Sequence, residues 1–343
     1  MFRHTGWIAL ACLLAPVIAM AGDKFEVAAE KRIPAIPHLS PYGKSPNDPI
    51  DFGALSPDGR FVLTIKAGRL TTRPLESVEE KQILPPGSIA AGSYWACWSA
   101  DGKWIYYLQS EPGKQTGILD LWRVETVSLK KELAIKSAAK PYSGVPNPSP
   151  DGRSVVFHRG AALMIATIDG KGERVLLERG ASPGGDLTWS PDSTQILAVV
   201  YSNGRWELGL LTVSTGQVKL MSPWNGGIGG SVWPSWSSGP FLCFWQIDAA
   251  ARAAMSAKHE MGHANYQIWH LRLPQEERTQ LTHEPVGSFI LFGAGSDGHS
   301  LVAARALEPT SWSLLSRALL SIWGAHVPNA SDFQTTLLLT LRK

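Results

Sequence analysis

The amino-acid sequence predicts an all-β protein: a six-bladed β-propeller of four-stranded blades that follows a cleaved N-terminal signal peptide. Three observations lead to this prediction. A Ser-Pro-Asp-Gly-like turn returns along the chain, strand-like hydrophobic runs surround each copy of the turn, and the chain starts with the features of an export signal.

Residues 1–21 are typical of a signal peptide. A short basic start precedes an apolar run at residues 8–20, and small residues then predict cleavage before Gly22. The run is shorter than the ~20 apolar residues that a membrane-spanning helix needs. A lipoprotein signal would instead be cleaved before Cys12, but Ala9 stands where such signals carry a large aliphatic residue. We therefore expect a periplasmic or secreted protein without a transmembrane segment.

The remaining chain divides into two parts. Residues 22–49 form a proline-rich segment that is a candidate for closing the ring, and residues 50–343 form the propeller with a C-terminal closing strand. The formal net charge is +3, and removal of the signal peptide with Arg3 lowers it to +2. Because this charge is close to neutral, we expect no nucleic-acid partner. We expect Cys97 and Cys243 to be buried, unpaired thiols because both lie in apolar runs.

The repeated turn sets the number of blades. The serines of the six copies lie 41 to 59 residues apart, and a period in the forties fits four strands of ~5 to 6 residues with their turns. Proline presets the second turn position, aspartate bonds to the local backbone, and glycine accepts a positive φ. The copies are identified by Ser56, Ser99, Ser149, Ser190, Ser237 and Ser296.

Two strands flank each turn and two more follow it. In the third blade the later strands are expected at residues 162–168 and 174–177, and the tail at 335–341 is expected to be a strand that shares the last blade with an N-terminal strand. Residues 311–320 remain ambiguous between strand and helix. Large flat residues suit the interfaces between blades, and we place there Trp98, Trp189 and Trp236.

These copies resemble the propeller repeats of TolB-like envelope proteins, which also occur in prolyl oligopeptidase-type peptidases. The matching elements are the Trp-Ser-x-Asp turns at 98–103 and 189–193, the strand I-W-H-L-R-L at 268–273 and Q-L-T-H-E-P at 280–285. The resemblance covers roughly residues 50–306 and implies a fold more than a function. Residues 22–49 are too few for the α/β domain that precedes the TolB propeller, so the contact that TolB makes through its N-terminal extension is not implied here.

The segments that cross from one blade to the next are the expected binding surface. They should surround one mouth of the central channel, where exposed aromatic side chains favour docking. The alternative is that these aromatics only separate the blades, and we slightly prefer it for Trp233, which precedes a proline. The candidate binding residues are Tyr94, Trp95, Asp186, Trp224, Trp233 and Phe289.

The motif H-E-M-G-H at residues 259–263 fits the pattern of zinc peptidases, in which two histidines on one helical face bind the metal. Gly262 lies inside the motif and a strand is expected from about Tyr266, which leaves no room for the helix. We therefore interpret the segment as an enlarged hairpin loop of the fifth blade. The other histidines are scattered, and no G-x-S-x-G elbow is present.

The sequence favours an exported, non-catalytic propeller that docks an envelope protein, a peptide or a cell-wall component at the channel mouth, and we expect a monomer. We assign no catalytic residue, metal ligand or cofactor. The alternative is a hydrolase or lyase acting on peptides or sugars, possible if Asp48, Asp51 and Asp186, or the loop of His259, supply the chemistry. A purely structural relative is a third interpretation.

Overall fold

The structure is a computed structural model of the chain. It describes residues 25–34, 52–66, 68–89, 96–110, 119–139, 146–181, 187–202, 204–221, 228–236, 240–246, 266–283, 288–295, 298–306 and 334–342. The signal peptide and residues 311–320 lie outside these ranges. No helix in the described ranges is long and apolar enough to cross a membrane.

Twenty-four strands form six antiparallel sheets of four strands each, which confirms the predicted six-bladed propeller. In chain order the strands of the first three blades are β2 (Phe52–Leu55), β3 (Phe61–Lys66), β4 (Arg69–Pro74) and β5 (Lys81–Leu84) in blade 1; β6 (Ala96–Trp98), β7 (Trp104–Ser110), β8 (Leu119–Glu125) and β9 (Lys131–Ala139) in blade 2; β10 (Asn147–Pro148), β11 (Ser154–Arg159), β12 (Ala162–Thr167) and β13 (Arg174–Leu177) in blade 3.

The remaining blades follow the same plan. They contain β14 (Leu187–Trp189), β15 (Gln195–Ser202), β16 (Arg205–Thr212) and β17 (Val218–Leu220) in blade 4; β18 (Ile228–Trp236), β19 (Pro240–Gln246), β20 (Tyr266–Arg272) and β21 (Glu277–Gln280) in blade 5; β22 (Ser288–Ala294), β23 (Ser300–Ala306), β24 (Gln334–Arg342) and β1 (Glu26–Arg32) in blade 6.

Strands from both ends of the described chain close the ring, as expected. The order in blade 6 is β22-β23-β24-β1, so the most N-terminal strand is the outer strand of the last blade. Its pairing runs from Glu26 opposite Arg342 to Arg32 opposite Leu337. The Glu26 and Arg342 side chains form an ion pair, and Arg305 Nη1 lies 3.2 Å from Glu30 Oε2.

Each blade buries both of its faces against its two neighbours. Side chains alternate along a strand, so Val155 and Phe157 of β11 pack against blade 2 while Val156 packs against blade 4. Six hydrophobic clusters result, one at each junction between blades. The three tryptophans predicted at these junctions lie there: Trp98 packs at the junction of blades 1 and 2, Trp189 at that of 3 and 4, and Trp236 at that of 4 and 5.

The repeated turn is held by a buried serine. In blade 3 the Ser149 Oγ donates a hydrogen bond to Asp151 Oδ1 (2.5 Å) and accepts one from the Ser154 amide (2.9 Å). The Ser149 amide donates to the Ser154 carbonyl, and the Gly152 amide donates to the Ser149 carbonyl. The same set of bonds occurs around Ser56, Ser99 and Ser190. The glycine that ends the turn has a positive φ in blades 1 to 3, and Ser193 adopts that φ in blade 4.

The identification of Ser296 as the sixth serine is wrong. The Gly295 amide donates to the Ser300 carbonyl and the Gly298 amide donates to the Gly295 carbonyl, which are the two backbone bonds that the serine makes in the other turns. Gly295 therefore occupies the serine position, and this turn lacks the hydroxyl that bridges its two strands. Ser237, the predicted serine of blade 5, lies outside the described residues.

A buried guanidinium joins the end of β1 to blade 1. Arg73 is only 4% exposed and donates hydrogen bonds to the carbonyl oxygens of Pro34 (3.0 Å), Leu75 (3.3 Å) and Ser77, and also of Pro74. Burial lowers the pKa of Arg73. Because Pro34 follows the outer strand of blade 6, these bonds connect the last blade to the first.

We expect Ser149→Ala to lower the free energy of unfolding by about 1 to 3 kcal/mol, because the Ser154 amide and Asp151 carboxylate lose a partner in a buried site. Urea unfolding followed by tryptophan fluorescence measures the change. Ser214→Ala, at an exposed turn position, is the matched control and should stay within about 0.5 kcal/mol of the parent. Equal effects of the two changes would contradict the role of the buried serine.

We also expect stability to fall on acidification. Burial opposes ionisation of Asp58, Asp101 and Asp151, but hydrogen bonds from the serine hydroxyl and the backbone outweigh it, so the pKa of each lies below the ordinary 3.8. The hydrogen bond from Ser190 is the largest influence on Asp192 and lowers its pKa too. A pKa that is lower in the folded chain stabilises it above the unfolded pKa, and this stabilisation disappears as the pH falls through the folded pKa.

The urea midpoint should therefore hold steady above about pH 5 and decrease below about pH 4. Asp151→Asn should weaken this dependence because one of the contributing carboxylates is removed. A midpoint that rises between pH 5 and pH 3 would show that the turn aspartates do not control acid stability.

Candidate functional site

The antiparallel order of the strands gives the propeller two different faces. The Ser-Pro-Asp-Gly turns, between the first and second strands of a blade, lie at one end of the sheets, which we call the turn face. Segments 90–95, 140–145, 182–186, 222–227 and 284–287 connect the outer strand of one blade to the inner strand of the next. They leave and enter at the other end, the crossing face, together with the hairpins between second and third strands. This is the face on which docking was predicted.

Four of the six predicted binding residues belong to the crossing segments, and the other two belong to the inner strands that follow them. Tyr94, Trp95, Asp186 and Trp224 lie outside the described residues. The backbone of Trp233 is in the inner strand β18, opposite Cys243, and the backbone of Phe289 is in the inner strand β22, opposite Arg305. Their role in binding stays a prediction.

The motif of His259 and His263 also maps to the crossing face. Its residues lie outside the described ranges, but segment 247–265 joins the second strand β19 to the third strand β20, which is the position expected for an enlarged hairpin loop. Asp48 and Asp51 are likewise outside the described residues. Within the described ranges no three His, Cys, Asp or Glu side chains come together as a possible metal site.

An exposed aromatic pair lies on the crossing face of blade 4. Tyr201 is the penultimate residue of β15 and Trp206 is the second residue of β16, and the two residues are opposite each other across the hairpin. Their rings meet edge to face with centroids 5.1 Å apart, yet Tyr201 is 53% exposed and Trp206 is 40% exposed. Exposed aromatic side chains in a fixed arrangement are common where protein partners bind.

Neither residue of this pair was among the binding residues that the sequence predicted. The signal was present in Y-S-N-G-R-W, residues 201–206, where an Asn-Gly turn places two aromatic residues on the same face of a hairpin.

A backbone hydrogen bond joins this aromatic hairpin to the end of blade 3. The Tyr201 amide donates a 2.5 Å hydrogen bond to the Gly180 carbonyl, where the chain leaves blade 3. Gly180 has a φ of +94°, and a β-carbon there would lie 3.1 Å from the Tyr201 carbonyl oxygen, so a larger residue would be both strained and crowded. This contact holds Gly180, at the end of blade 3, against the aromatic hairpin.

In blade 5 a threonine side chain joins the end of the blade to its third strand. Thr282 Oγ1, just beyond β21, accepts a hydrogen bond from the Ile268 amide (2.9 Å) and donates one to Gln267 Oε1 (2.8 Å). Gln267 is buried near the start of its third strand, as are Asp120 in blade 2 and Glu207 in blade 4. Buried polar groups thus recur where the third strands begin at the crossing face.

His270 and Cys97 are titratable groups packed among apolar side chains. His270 is 6% exposed and meets the Phe25 ring edge to face and the Phe241 ring at a tilt, with ring centroids 4.7 and 4.9 Å away. Cys97 forms no disulfide and is half-buried, and desolvation raises the pKa of its thiol to about 12. A thiol with that pKa stays protonated near neutral pH and is a poor nucleophile.

No protein-family model matches the chain, and a search of curated proteins also finds no match. Solved structures share its fold. The chain is 13% identical to TolB from Acinetobacter baumannii (TM-score 0.50), with 84% of this chain aligned to 63% of TolB. It is 14% identical to an oligogalacturonate lyase in complex with manganese (TM-score 0.50), with 85% of this chain aligned to 76% of the lyase.

A puromycin hydrolase is 16% identical to the chain (TM-score 0.51), with 75% of this chain aligned to 42% of the hydrolase. The chain thus spans 63% of the length of the TolB structure, less than two thirds. At such identities the likeness establishes a fold that binding proteins, lyases and hydrolases share. The chain is a six-bladed β-propeller structurally similar to those of TolB, oligogalacturonate lyase and hydrolases.

Proposed function

We propose that this protein is an exported, non-catalytic β-propeller of the periplasm that binds an envelope protein or peptide on its crossing face. The observation that carries the proposal is the exposed pair Tyr201 and Trp206, which lies on the face where the aromatic crossing segments emerge. Tyrosine and tryptophan dominate the binding energy of many protein interfaces because they bury a large area at a low entropic cost.

Several features support binding through a rigid surface. The hairpin of Tyr201 and Trp206 extends from β15 and β16, which pair over their full length and pack into the core of blade 4. The hydrogen bond to the Gly180 carbonyl also ties the hairpin to the end of blade 3. A partner would therefore meet a surface that is already ordered, so little conformational entropy is lost on binding.

The test starts with crosslinking of the mature protein in the envelope, followed by identification and purification of the crosslinked partner. We then expect Trp206→Ala to weaken binding of that partner by at least about 30-fold, and Tyr201→Ala by about 10-fold, as for central aromatic residues of interfaces. Trp95→Ala and Trp224→Ala test the predicted crossing-segment aromatics in the same assay.

Val127→Ala is the matched control, because Val127 is an apolar residue that is 84% exposed at the turn face of blade 2. It should leave affinity unchanged. If Trp206→Ala folds and binds the partner as the parent does, the proposed surface is wrong. Retention on peptidoglycan sacculi without a protein partner would redirect the proposal to a cell-wall component.

The competing interpretation as a hydrolase or lyase is tested by metal analysis of the purified protein. The non-catalytic proposal predicts no stoichiometric zinc that depends on the H-E-M-G-H segment. One zinc per chain that disappears in His263→Ala, together with hydrolysis of a peptide or glycan, would replace it with an enzyme.

A further inference from the structure

The turn face, opposite the proposed docking surface, carries a cleft of about 340 Å³ at the seam where blade 6 meets blade 1. We call it the seam cleft. This volume falls at the lower end of the range of small-ligand sites. Its lining includes Leu55, Arg60, Leu75, Glu76, Ser300 and Leu338.

The repeat changes beside the cleft in blade 6. Gly295 replaces the buried serine that the turns of blades 1 to 4 carry, and Ser300 stands five residues later, where blade 1 has Phe61, blade 2 has Trp104 and blade 3 also has a serine. A β-carbon on Gly59 would lie 3.8 Å from the Gly295 Cα, so the two turns meet through backbone alone. The missing side chains leave open space above the seam.

The floor of the cleft is aliphatic. Val302 is fully buried and Leu75 is 7% exposed, and both belong to the hydrophobic cluster between blades 6 and 1. Leu55 and Leu338 are partly buried against that cluster. An aliphatic group of a ligand that entered the cleft would extend the core of the seam and lose contact with water.

The rim of the cleft offers hydrogen-bond donors. Arg60 Nε lies 2.7 Å from Asp58 Oδ2, which fixes the direction of the guanidinium. The two terminal nitrogens of Arg60 make no hydrogen bond or ion pair with any residue in the described ranges. Glu76 is already paired with Lys31, at 2.7 Å, so its charge is compensated. A planar guanidinium with two available nitrogens matches a carboxylate.

We propose that the seam cleft binds the C-terminal residue of a polypeptide that ends in an aliphatic side chain. The terminal carboxylate accepts two hydrogen bonds from Arg60, and the aliphatic side chain packs on Leu55 and Leu338, the partly exposed aliphatic residues of the lining. A cationic group is a poorer occupant because it would approach Arg60, while Lys31 already occupies the carboxylate of Glu76. The cleft is on the face opposite the Tyr201 and Trp206 pair, so this site is independent of the proposed docking function.

The experiment is an NMR titration of the mature protein with an acetylated Ala-Ala-Leu tripeptide, once with a free C-terminal carboxylate and once as the amide. We expect the carboxylate form to shift the amide signals of Gly59 and Gly295, and the amide form to bind at least about 10-fold more weakly. Arg60→Gln should cause the same loss, and it is tolerated in folding because the Arg60 side chain is 76% exposed.

Arg153→Gln is the matched control: Arg153 holds the same position of the turn in blade 3 but does not line the seam cleft. It should leave binding unchanged. Ser300→Phe places in the cleft the residue that blade 1 has at this position and should block the peptide.

Equal binding of the carboxylate and amide forms, full binding by Arg60→Gln, or signal changes confined to the crossing face would each overturn the proposal. Because Arg60→Gln changes an exposed residue, the result does not depend on whether Ser300→Phe folds.

Discussion

Every blade of this protein has two apolar faces, and that constraint governs the rest of the structure. A four-stranded sheet with alternating side chains, such as Val155, Val156 and Phe157, cannot stand in water with either face uncovered. Neighbouring sheets on both sides satisfy the requirement, and a ring satisfies it for every sheet at once. The six junction clusters are the direct result, and the buried serine turns hold the first two strands of blades 1 to 4 together.

The same constraint determines which side chains are packed and which remain exposed. The junctions between blades take up the large apolar side chains, and the turn face is occupied by serine and aspartate networks that hold the hairpins. On the crossing face, some side chains neither pack between blades nor hold a turn. Tyr201 and Trp206 show this clearly: their strands are fixed by pairing and packing, while their rings remain open to solvent. Rigid support with exposed aromatics is an economical way to build a binding surface on this fold.

Much of the fold could be predicted from the sequence because its periodic features are local. A turn of four residues determines where a hairpin lies, and the spacing of the turns determines how many strands fit between them. The strand at 174–177 and the joining of both chain ends in one sheet follow from this reasoning. The sixth turn was misplaced by one residue because Ser296 was matched by residue type. The serine stands three residues before the turn glycine in blades 1 to 3, and that spacing from Gly298 gives Gly295, as the backbone bonds show. The exposure of Tyr201 and Trp206 and the seam cleft depend on what packs nearby in space, including residues far apart in the chain, which a linear pattern does not contain.

The closing strand has a consequence for how the chain reaches its native state. β1 has a single sheet neighbour, β24, and the two are separated by nearly the whole chain. Glu26 therefore cannot pair until the strand of Arg342 is in place. Bringing such distant segments together costs conformational entropy, and this cost is offset only when the contacts that close the ring have formed. The first blade can form its hairpins while the outer edge of the last blade is still unpaired. We therefore expect the pairing of β1 with β24 to be a late step in folding.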